Sequence, residues 1–336
     1  MRKANGATAT HRRRRYQREG PSMKTNILLP LAASVLALAA AIPAYAEYPE
    51  KPVSFVVPFP PGDLEDVLTR MIAEDFQEKY GVAAAVVNKP SEGGPFPGAV
   101  DVAVAPADGY TIGSFVMDVP IIGPEVGIPA LADSPFEPLG IFLTYPFVIA
   151  TDADAPYSTM EELADYAREN EVSLGHFGSF LVPTQATFAA SKIMGFEWGT
   201  DASSAALDCN TLASGDFEVI NTTIQQIFPC LDQVKILASI TQEPLEVVDN
   251  VPMLGEVTPR LNLNLWNGLF VHKDTPQDVR DKIIAVAQET MASERAQQLA
   301  ADTGALIYWM DAEQSVRQIQ GDTATLNDIN TLIEAH

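Results

Sequence analysis

The stretch Val53-Ser-Phe-Val-Val-Pro-Phe-Pro-Pro-Gly62 decides the fold of this 336-residue chain. It opens with a short apolar run, which is typical of a strand buried on both faces, and it closes with a turn rich in proline and glycine. Apolar residues then recur at spacings of three and four from Leu64 to Phe76, which predicts an amphipathic helix. A buried strand, a turn and a helix in this order are typical of one unit of an α/β domain.

A second unit of the same design begins near Val172. A strand at 172–174 runs into the loop Gly175-His-Phe-Gly-Ser179, and Pro183 and Gly195 suit the start and the end of the helix that follows. Further strands are predicted at 83–87, 110–116, 147–150, 217–220, 235–239 and 269–272, a Gly/Pro loop at 91–98, and helices at 158–169, with Ser158 as N-cap, and at 278–291. This alternation predicts an α/β fold with largely parallel strands, whose ligands bind beyond the carboxyl ends of the strands.

The N-terminal region has the three parts of a secretory signal peptide. Met23-Lys24-Thr25-Asn26 is a basic start, 27–42 is a short apolar run, and Ala44-Tyr45-Ala46 is a cleavage site of small residues. We therefore expect export, cleavage after Ala46 and a mature chain that begins at Glu47. No cysteine directly follows Ala46, so a lipid anchor is not expected.

Residues 1–22 precede this signal and contain the basic run 12–15. We interpret 1–22 as an over-extended start, with Met23 as the true first residue. The alternative is that the arginines belong to a twin-arginine export signal.

The chain is strongly acidic, with a net charge of −23. Residues 1–46 hold 8 of its 21 Lys and Arg residues but 1 of its 44 Asp and Glu residues, which leaves 13 basic and 43 acidic residues and a net charge of −30 in 47–336. A surface of this charge repels nucleic acids and anionic membranes, so neither is expected as a partner. We attribute the acidity to solubility in a salty habitat, where screening weakens self-repulsion.

The two cysteines, Cys209 and Cys230, both lie in the exported part of the chain. An oxidising compartment permits a disulfide between them, although the sequence alone does not bring them together. We regard the pair as a candidate disulfide, which would close a short loop and be structural.

The usual signatures of catalysis are missing from the sequence. It contains no Gly-x-Ser-x-Gly elbow, no His-Glu-x-x-His or Cys-x-x-Cys motif, and no nucleotide-binding glycine motif. The histidines of 47–336 are His176, His272 and His336, and no two of them have metal-ligand spacing. We therefore expect no catalytic residue, no metal and no cofactor, and we interpret His176 as a hydrogen-bonding group in a loop.

Four blocks of the sequence carry a specific resemblance. They are Tyr48 to Gly62 with Asp66 and Arg70; Val87-Asn88-Lys89-Pro90 with Gly93-Gly94; Pro106-Ala-Asp-Gly-Tyr-Thr111; and Trp266-x-Gly268-Leu-Phe with Thr275-Pro276 and Gly304. In these blocks the chain resembles the receptor subunits of tripartite tricarboxylate transporters, the Bug-type binding proteins. The resemblance extends over essentially 48–336.

The resemblance implies a periplasmic binding fold of type II, with two lobes joined by a hinge and a mainly parallel sheet flanked by helices in each lobe. We expect lobe 1 to comprise 47–148 with 267–336, and lobe 2 to comprise 149–266. The resemblance also implies a location in the periplasm, a small carboxylate as ligand and membrane permease subunits as partners. We expect the receptor itself to be a monomer.

Receptors of this family hold their ligand largely through backbone N–H groups and hydroxyls in loops of both lobes. Carried onto this sequence, the loops are 59–66, 117–120, 176–184 and the vicinity of 221–223. None contains a lysine or arginine, which agrees with the ability of free N–H groups and helix N-termini to hold a carboxylate. The candidate ligand-binding residues are Phe59, Pro61, Gly62, Asp63, Asp66, Met117, Asp118, His176, Gly178, Ser179, Thr184 and Thr222.

One position departs from the family pattern, because Pro61-Gly62-Asp63 stands where these receptors usually have Pro-Gly-Gly. We favour the interpretation that Asp63 is the N-cap of the helix beginning at Leu64. The alternative is that Asp63 or Asp118 pairs with an amine or hydroxyl of the ligand.

The sequence therefore favours a binding module, without chemistry of its own, that delivers a small carboxylate to a permease. An exported hydrolase-like enzyme that uses His176 and Ser179 is a competing hypothesis, and a sensory receptor that feeds a signalling kinase is another. The missing motifs count against the enzyme, whereas the sequence does not separate transport from sensing.

Overall fold

The computed structural model describes residues 47–91, 94–204 and 206–334. The predicted signal peptide, the segment 1–22, Gly93 and His336 lie outside these described residues. No helix within them is both long enough and apolar enough to cross a membrane.

The described residues contain eleven β-strands, which form two sheets. The strands are β1 (Val53–Val57), β2 (Ala84–Asn88), β3 (Thr111–Val116), β4 (Phe136–Thr144), β5 (Phe147–Asp152), β6 (Ser173–His176), β7 (Thr200–Ser203), β8 (Val219–Thr223), β9 (Val234–Ser239), β10 (Trp266–His272) and β11 (Leu306–Asp311).

Eleven α-helices accompany them in the same part of the chain. The helices are α1 (Leu64–Tyr80), α2 (Phe96–Ala103), α3 (Asp118–Ile122), α4 (Met160–Ala167), α5 (Val182–Met194), α6 (Cys209–Ser214), α7 (Ile224–Ile227), α8 (Leu254–Val257), α9 (Gln277–Met291), α10 (Glu294–Thr303) and α11 (Ala312–Glu334). Two 3₁₀ helices lie at Phe228–Gln233 and Pro259–Leu261.

The first sheet has six strands in the order β11-β4-β10-β3-β1-β2. β1 is parallel to β2 and to β3, because α1 and α2 return the chain to the same end of the sheet. β10 is antiparallel to β3 and β4, and β11 is antiparallel to β4. The apolar stripe of α1, which contains Leu68, Ile72 and Phe76, is completely buried in the core of this sheet.

The second sheet has five strands in the order β7-β6-β8-β5-β9. β6 is parallel to β7 and β8, whereas β5 is antiparallel to β8 and β9. The chain passes from β4 of the first sheet to β5 of the second through Tyr145 and Pro146, and it returns through 240–265 to β10. The C-terminal helix α11 packs against both β4 and α5, so it contacts elements associated with each sheet.

The predicted α/β class is confirmed, but the expectation of mainly parallel sheets is wrong. Four of the nine strand pairings in the described residues are parallel, and five are antiparallel. β4, β5 and β10 carry the chain between the two sheets, so they enter their sheets without the helical crossover that parallel pairing requires. The sheets are therefore mixed.

Two local predictions are also corrected. The N-cap of α4 is Thr159, whose hydroxyl accepts the Glu162 N–H at 3.2 Å, while the N–H of Ser158 donates to the Glu162 carboxylate at 2.7 Å. The Gly/Pro loop predicted at 91–98 is shorter than expected, because α2 already begins at Phe96. The first turn of a helix tolerates proline, which has no N–H to donate.

Candidate functional site

A buried carboxylate, that of Asp66, holds the loop after β1. Its Oδ2 accepts hydrogen bonds of 2.9 Å from the Gly62 N–H and from Nε of Arg70. Its Oδ1 accepts bonds of 2.9 Å from Nη2 of Arg70 and of 2.8 Å from Nδ2 of Asn88. Burial alone would raise the pKa of Asp66, but these donors lower it below its ordinary value. Asp66 was predicted to bind ligand, and in this structure its oxygens accept hydrogen bonds from protein donors that hold the loop.

The same network orients the remaining predicted residues of this loop. Gly62 has a φ of 100°, which side chains rarely adopt, so a Gly at this position is needed for the turn. Nδ2 of Asn88 also donates to the Phe59 carbonyl at 3.0 Å. Pro61 and Gly62 are exposed at the tip and Phe59 is half-buried. Phe59, Pro61, Gly62 and Asp66 are therefore brought together in one hydrogen-bonded turn.

Asp63 occupies the N-cap position of α1, but its side chain makes no capping hydrogen bond. Its backbone is extended and its carbonyl accepts the Val67 N–H at 3.0 Å. Partial burial, followed by the charge of Asp66, raises the pKa of the Asp63 carboxyl. The prediction that Asp63 is the N-cap residue of α1 is confirmed, but its carboxylate makes no hydrogen bond to the end of the helix.

Glu65 was missed by the sequence analysis. It is 4% exposed, and its Oε2 accepts a hydrogen bond of 2.9 Å from the hydroxyl of Tyr145, which lies between β4 and β5. Burial, and then the charge of Asp63, raises the pKa of Glu65 to about 7. A signal was present, because Glu65 precedes Leu68 and Ile72 by three and seven residues and so falls on the apolar stripe of α1.

Asp118, like Glu65, is a buried carboxylate that forms none of the ion pairs found among the described residues. It is 4% exposed, and its Oδ1 has no hydrogen-bond partner. Burial raises the pKa of Asp118 to about 6, while the backbone N–H groups of Asp118 itself and of Val182 act against this rise. Val182 is the first residue of α5, where an N–H has no partner within the helix and negative charge is stabilised. Asp118, which follows β3 of the first sheet, thus meets the N-terminus of a helix that follows β6 of the second.

The predicted loop at 117–120 is therefore helical, since α3 begins at Asp118. Met117 is 1% exposed, and its N–H donates to the Trp266 carbonyl at 3.1 Å. The side chain of Met117 is thus buried and its N–H is hydrogen-bonded to the protein. Asp118, by contrast, lies next to the start of α5, a helix of the second sheet.

Phe180 brings the loop after β6 against the loop before α2. A Cβ built on Gly94, whose φ is 74°, would lie 2.7 Å from Cε2 of Phe180, and one built on Gly178 would lie 3.2 Å from Cε1. A side chain at Gly94 would collide with the ring, whereas one at Gly178 would require the ring to shift by only a few tenths of an ångström. The ring itself is 41% exposed, so it lies at the rim of the contact. Ser179, next to it, is exposed.

His176 is the last residue of β6 and is 2% exposed. Its Nε2 lies 3.0 Å from Oδ1 of Asp201 on β7, and its ring packs edge-on to Phe188 at 5.8 Å between centroids. The prediction of a hydrogen-bonding role for His176 agrees with this geometry. Within the described residues no hydrogen bond joins His176 to Ser179, so the pair proposed for a hydrolase is not assembled.

At the end of β8, the residue that faces α5 is Asn221 rather than Thr222. The Thr222 hydroxyl donates to the Leu207 carbonyl at 2.7 Å, whereas Nδ2 of Asn221 donates to Oγ1 of Thr187 on α5 at 2.9 Å. Successive strand residues point to opposite faces, so Thr222 and Asn221 lie on different faces of the sheet. On α5 itself, Thr184 is completely buried and its Oγ1 has no partner.

The disulfide candidates lie in another part of the structure. Cys209, which opens α6, is joined to Cys230 in the 3₁₀ helix that follows α7, with 5.9 Å between their Cα atoms. Both side chains belong to the smaller hydrophobic cluster of the second sheet. The bridge therefore supports the packing beneath β8 and does not touch the loops described above.

Three acid groups lie near Tyr145, where the chain passes from the first sheet to the second. Asp63 and Glu65 belong to the start of α1, and Asp118 is the first residue of α3. Burial, and then the charges of these acids, raises the pKa of the Tyr145 hydroxyl well above its ordinary value. Within the described residues, no three His, Cys, Asp or Glu side chains are grouped so that they could hold a metal ion. The arrangement suits binding through hydrogen bonds and charge.

Known proteins share both the sequence pattern and the fold of this chain. A family model described as the tripartite tricarboxylate transporter family receptor matches residues 68–335. A relative from Pseudomonas sp. (strain P51), the UPF0065 protein in the tcbD-tcbE intergenic region, is 27% identical over 262 residues, which make up 73% of this chain and 75% of the relative.

Solved structures agree in fold. An R. palustris protein with adipate has a TM-score of 0.73 at 20% identity and covers 86% of this chain and 99% of its own. MatC from Rhodopseudomonas palustris with bound malate has a TM-score of 0.70 at 20% identity and covers 84% of this chain and 99% of its own. At these identities the likeness shows the two-lobed binding-protein fold alone. The family match, by contrast, extends over most of the chain and confirms the resemblance seen in its sequence blocks. The chain belongs to the tripartite tricarboxylate transporter receptor family.

Proposed function

We propose that this protein is a periplasmic solute-binding receptor, exported with cleavage after Ala46, that captures a small organic carboxylate and presents it to the permease subunits of a tripartite transporter. The observation that carries this proposal is the meeting of Asp118 with the Val182 N–H at the start of α5. The N–H groups at the start of α5 stabilise negative charge, which is the charge that a carboxylate ligand would bring. The malate and adipate of the two similar structures are ligands of the same class.

We further propose that the lobes are 47–148 with 267–336 and 149–266, and that they close on the ligand as rigid bodies. Sheet membership supports this division to within two residues, because β5 of the second sheet begins at Phe147 and β10 of the first sheet begins at Trp266. In the structure, Phe180 contacts Gly94 across the rim, as expected of a closed form. Closure would bury the ligand and display a surface that the permease distinguishes from the open form. The receptor would act as a monomer.

Native mass spectrometry of the freshly exported protein tests this function, followed by calorimetry with a panel of carboxylates and their amino-substituted counterparts. We expect a bound small acid, released unchanged, and a stoichiometry of one per chain. Absence of binding by every acid in the panel would refute the proposal. Turnover of a bound ester would instead support the hydrolase, which the separation of His176 from Ser179 does not favour.

A further inference from the structure

We propose that Asp322, on the C-terminal helix α11, is a positioning residue for lobe closure. It holds the indole of Trp266 at the point where the chain returns to the first sheet, and so fixes the angle at which the two lobes meet. This inference rests on the proposed function, since it assigns a role in the movement that captures the ligand. It also gives a role to the side chain of Trp266, which the candidate site leaves without one.

The two crossings between the sheets lie side by side at Trp266. The chain leaves the first sheet through Tyr145 and Pro146, and it returns to β10 at Trp266. The N–H of Tyr145 donates to the Leu265 carbonyl at 2.7 Å, and Trp266 pairs with Thr144 in the register of β10 with β4. Any rotation of one lobe against the other bends the chain at these crossings, so Trp266 lies at the first-sheet end of the hinge.

A buried carboxylate holds the side chain of Trp266. Nε1 of Trp266 donates to Oδ2 of Asp322 at 2.6 Å, and Nε2 of Gln318 lies 3.1 Å from each oxygen of the same carboxylate. Trp266 is 1% exposed and Asp322 is 3% exposed. Burial raises the pKa of Asp322 to about 6, although the bonds from Trp266 and Gln318 act against this rise. The carboxyl is therefore largely ionised at neutral pH, which makes the indole bond charge-assisted.

Helix α11 is attached to the protein on both sides of this contact. Towards its N-terminus, the N–H of Ile141 on β4 donates to Oγ of Ser315 at 3.1 Å, which joins the helix to the first sheet. Towards its C-terminus, Nε of Arg260 donates to Oδ2 of Asp328 at 2.8 Å, which joins it to the segment that returns from the second sheet. With both ends held, Asp322 has a fixed position against which the crossing can be oriented.

Trp266 extends this constraint to the predicted ligand loop. Its carbonyl accepts the N–H of Met117 at 3.1 Å, and Met117 directly precedes Asp118 at the start of α3. On its other side, the indole stacks on Phe270 with 6.4 Å between ring centroids. A change at Asp322 should therefore affect 117–120 through Trp266, without a contact between Asp322 and the ligand.

A carboxylate at this position supplies direction rather than stability. Burial of a carboxylate disfavours folding, and an apolar side chain would fill the same space without that penalty. Among the ion pairs of the described residues, none includes Asp322. What the carboxylate adds is a short bond to one indole N–H, which selects a single orientation of the ring. A defined orientation is what the end of a hinge requires.

The test measures the distance between the lobes in protein without ligand. Spin labels at Glu78→Cys on α1 and Glu161→Cys on α4, both exposed positions, report this distance by pulsed electron paramagnetic resonance. The native cysteines form a disulfide, so the labels attach to the introduced ones. Asp322→Leu removes the acceptor and should broaden the distribution towards longer distances. Asp322→Asn keeps an oxygen for the indole and should restore the narrow distribution.

Thr151→Val is the matched control. Thr151 is completely buried on β5, and its hydroxyl donates to the Glu218 carbonyl at 2.7 Å, so the variant loses a buried hydrogen bond away from Trp266. It should lower the unfolding midpoint and leave the label distances unchanged. Trp266→Phe removes the donor instead of the acceptor, and it should broaden the distribution as Asp322→Leu does. It replaces Asp322→Leu if that variant does not fold.

Calorimetry with malate and adipate as probes measures the effect on binding. A wider range of lobe angles lowers the fraction of protein that is competent to bind, and the apparent affinity falls by the same factor. We expect Asp322→Leu to bind about tenfold more weakly, the value of one charge-assisted hydrogen bond. Asp322→Asn and Thr151→Val should stay within about twofold of the unmodified protein.

The outcomes separate this inference from the function on which it rests. Unchanged label distances in folded Asp322→Leu or Trp266→Phe, or an equal broadening in Thr151→Val, overturn the inference while the receptor function stands. Failure of both variants to fold while Thr151→Val folds also overturns it, because the contact then serves stability alone. Label distances that respond as expected, without binding of any acid, support the inference and overturn the receptor function.

Discussion

The hydroxyl of Tyr145 donates a hydrogen bond of 2.9 Å to Oε2 of Glu65. Tyr145 lies where the chain passes from the first sheet to the second, and Glu65 lies in the first turn of α1. The pair therefore ties the crossing between the sheets to the loop that is expected to contact the ligand. Both side chains are buried, at 9% and 4% exposure, so a change at either residue should be visible in stability.

Glu65→Gln should flatten the pH dependence of stability. Burial, then the charge of Asp63, raises the pKa of Glu65 from 4.5 to about 7. A raised carboxyl pKa contributes stability below the unfolded value, and this contribution is lost as the pH rises through about 7. We expect the unmodified protein to lose up to about 3 kcal/mol of unfolding free energy from this group between pH 4.5 and pH 8, and the variant to lose less. Urea unfolding at both pH values measures the difference, and parallel profiles for the two proteins would contradict it.

Gly94→Ala should cost more stability than Gly127→Ala. The two glycines have φ values of 74° and 76°, so an alanine is equally strained at either. At Gly94 the new Cβ would also lie 2.7 Å from Cε2 of Phe180, whereas at Gly127 nothing lies within 4 Å. We expect about 1 kcal/mol of strain in both variants and a further loss of about 1 kcal/mol in Gly94→Ala.

The further loss should vanish in a Phe180→Ala background, because the ring that causes the crowding is then gone. A double-mutant cycle by urea unfolding measures this coupling between positions 94 and 180. Additive free energies in the cycle would show that the two residues do not meet in solution.

Asp66→Ala should destabilise the protein by about 3 kcal/mol, because it removes a buried carboxylate that accepts bonds from Gly62, Arg70 and Asn88. Its pKa is lowered, so its contribution is present above the usual carboxyl range and is lost as the pH falls through the folded value. Thermal and urea unfolding at pH 7 measure the loss. Asp108→Ala is the control.

The control removes a surface carboxylate that pairs with the exposed Lys51 at 3.1 Å, and it should cost less than about 1 kcal/mol. If Asp66→Ala were as mild as Asp108→Ala, the network could not be what holds the Gly62 turn. Ligand affinity should fall in Asp66→Ala and stay unchanged in Asp108→Ala, since only the former frees that turn.

The double variant Cys209→Ala with Cys230→Ala should lower the free energy of unfolding by about 3 kcal/mol, because the bridge closes a loop between residues 21 positions apart. Reduction of the unmodified protein should have a similar effect on its unfolding midpoint. Since the bridge lies away from the cleft, ligand affinity should change little at temperatures where the variant is folded. A large loss of affinity in the folded variant would place the bridge in the site.

Much of the fold follows from local patterns. Three features depend only on neighbouring residues, so the sequence predicts them. They are the helix with apolar spacings of three and four after Leu64, the proline and glycine at the ends of α5, and the alternation of strands with helices. The direction in which two strands pair, parallel or antiparallel, does not follow from local patterns. β4 and β10 run antiparallel because the chain changes sheets beside them, and no local pattern records where a chain will cross.

Some residues of the candidate site were predictable from local sequence patterns, and others were not. The turn at Gly62 was predictable because only certain residues tolerate its backbone, and Asp118 was a candidate because it follows a strand. Only the structure shows that Asn221 reaches α5 and that Thr222 points to the other face, because a shift of one residue reverses the face of a strand. Glu65 was missed although its place on the apolar stripe of α1 marked it.

The sequence by itself determined the α/β class, the repeated strand–loop–helix unit and the membership of a receptor family, because these depend on periodicity and on motifs a few residues long. Only the tertiary structure decided which acids lie near Tyr145 and the start of α5. Glu65 and Tyr145 are 80 positions apart, and Asp118 meets Val182 from the other sheet. Burial and distance set the charge state of such groups, and both come from packing that no single segment contains.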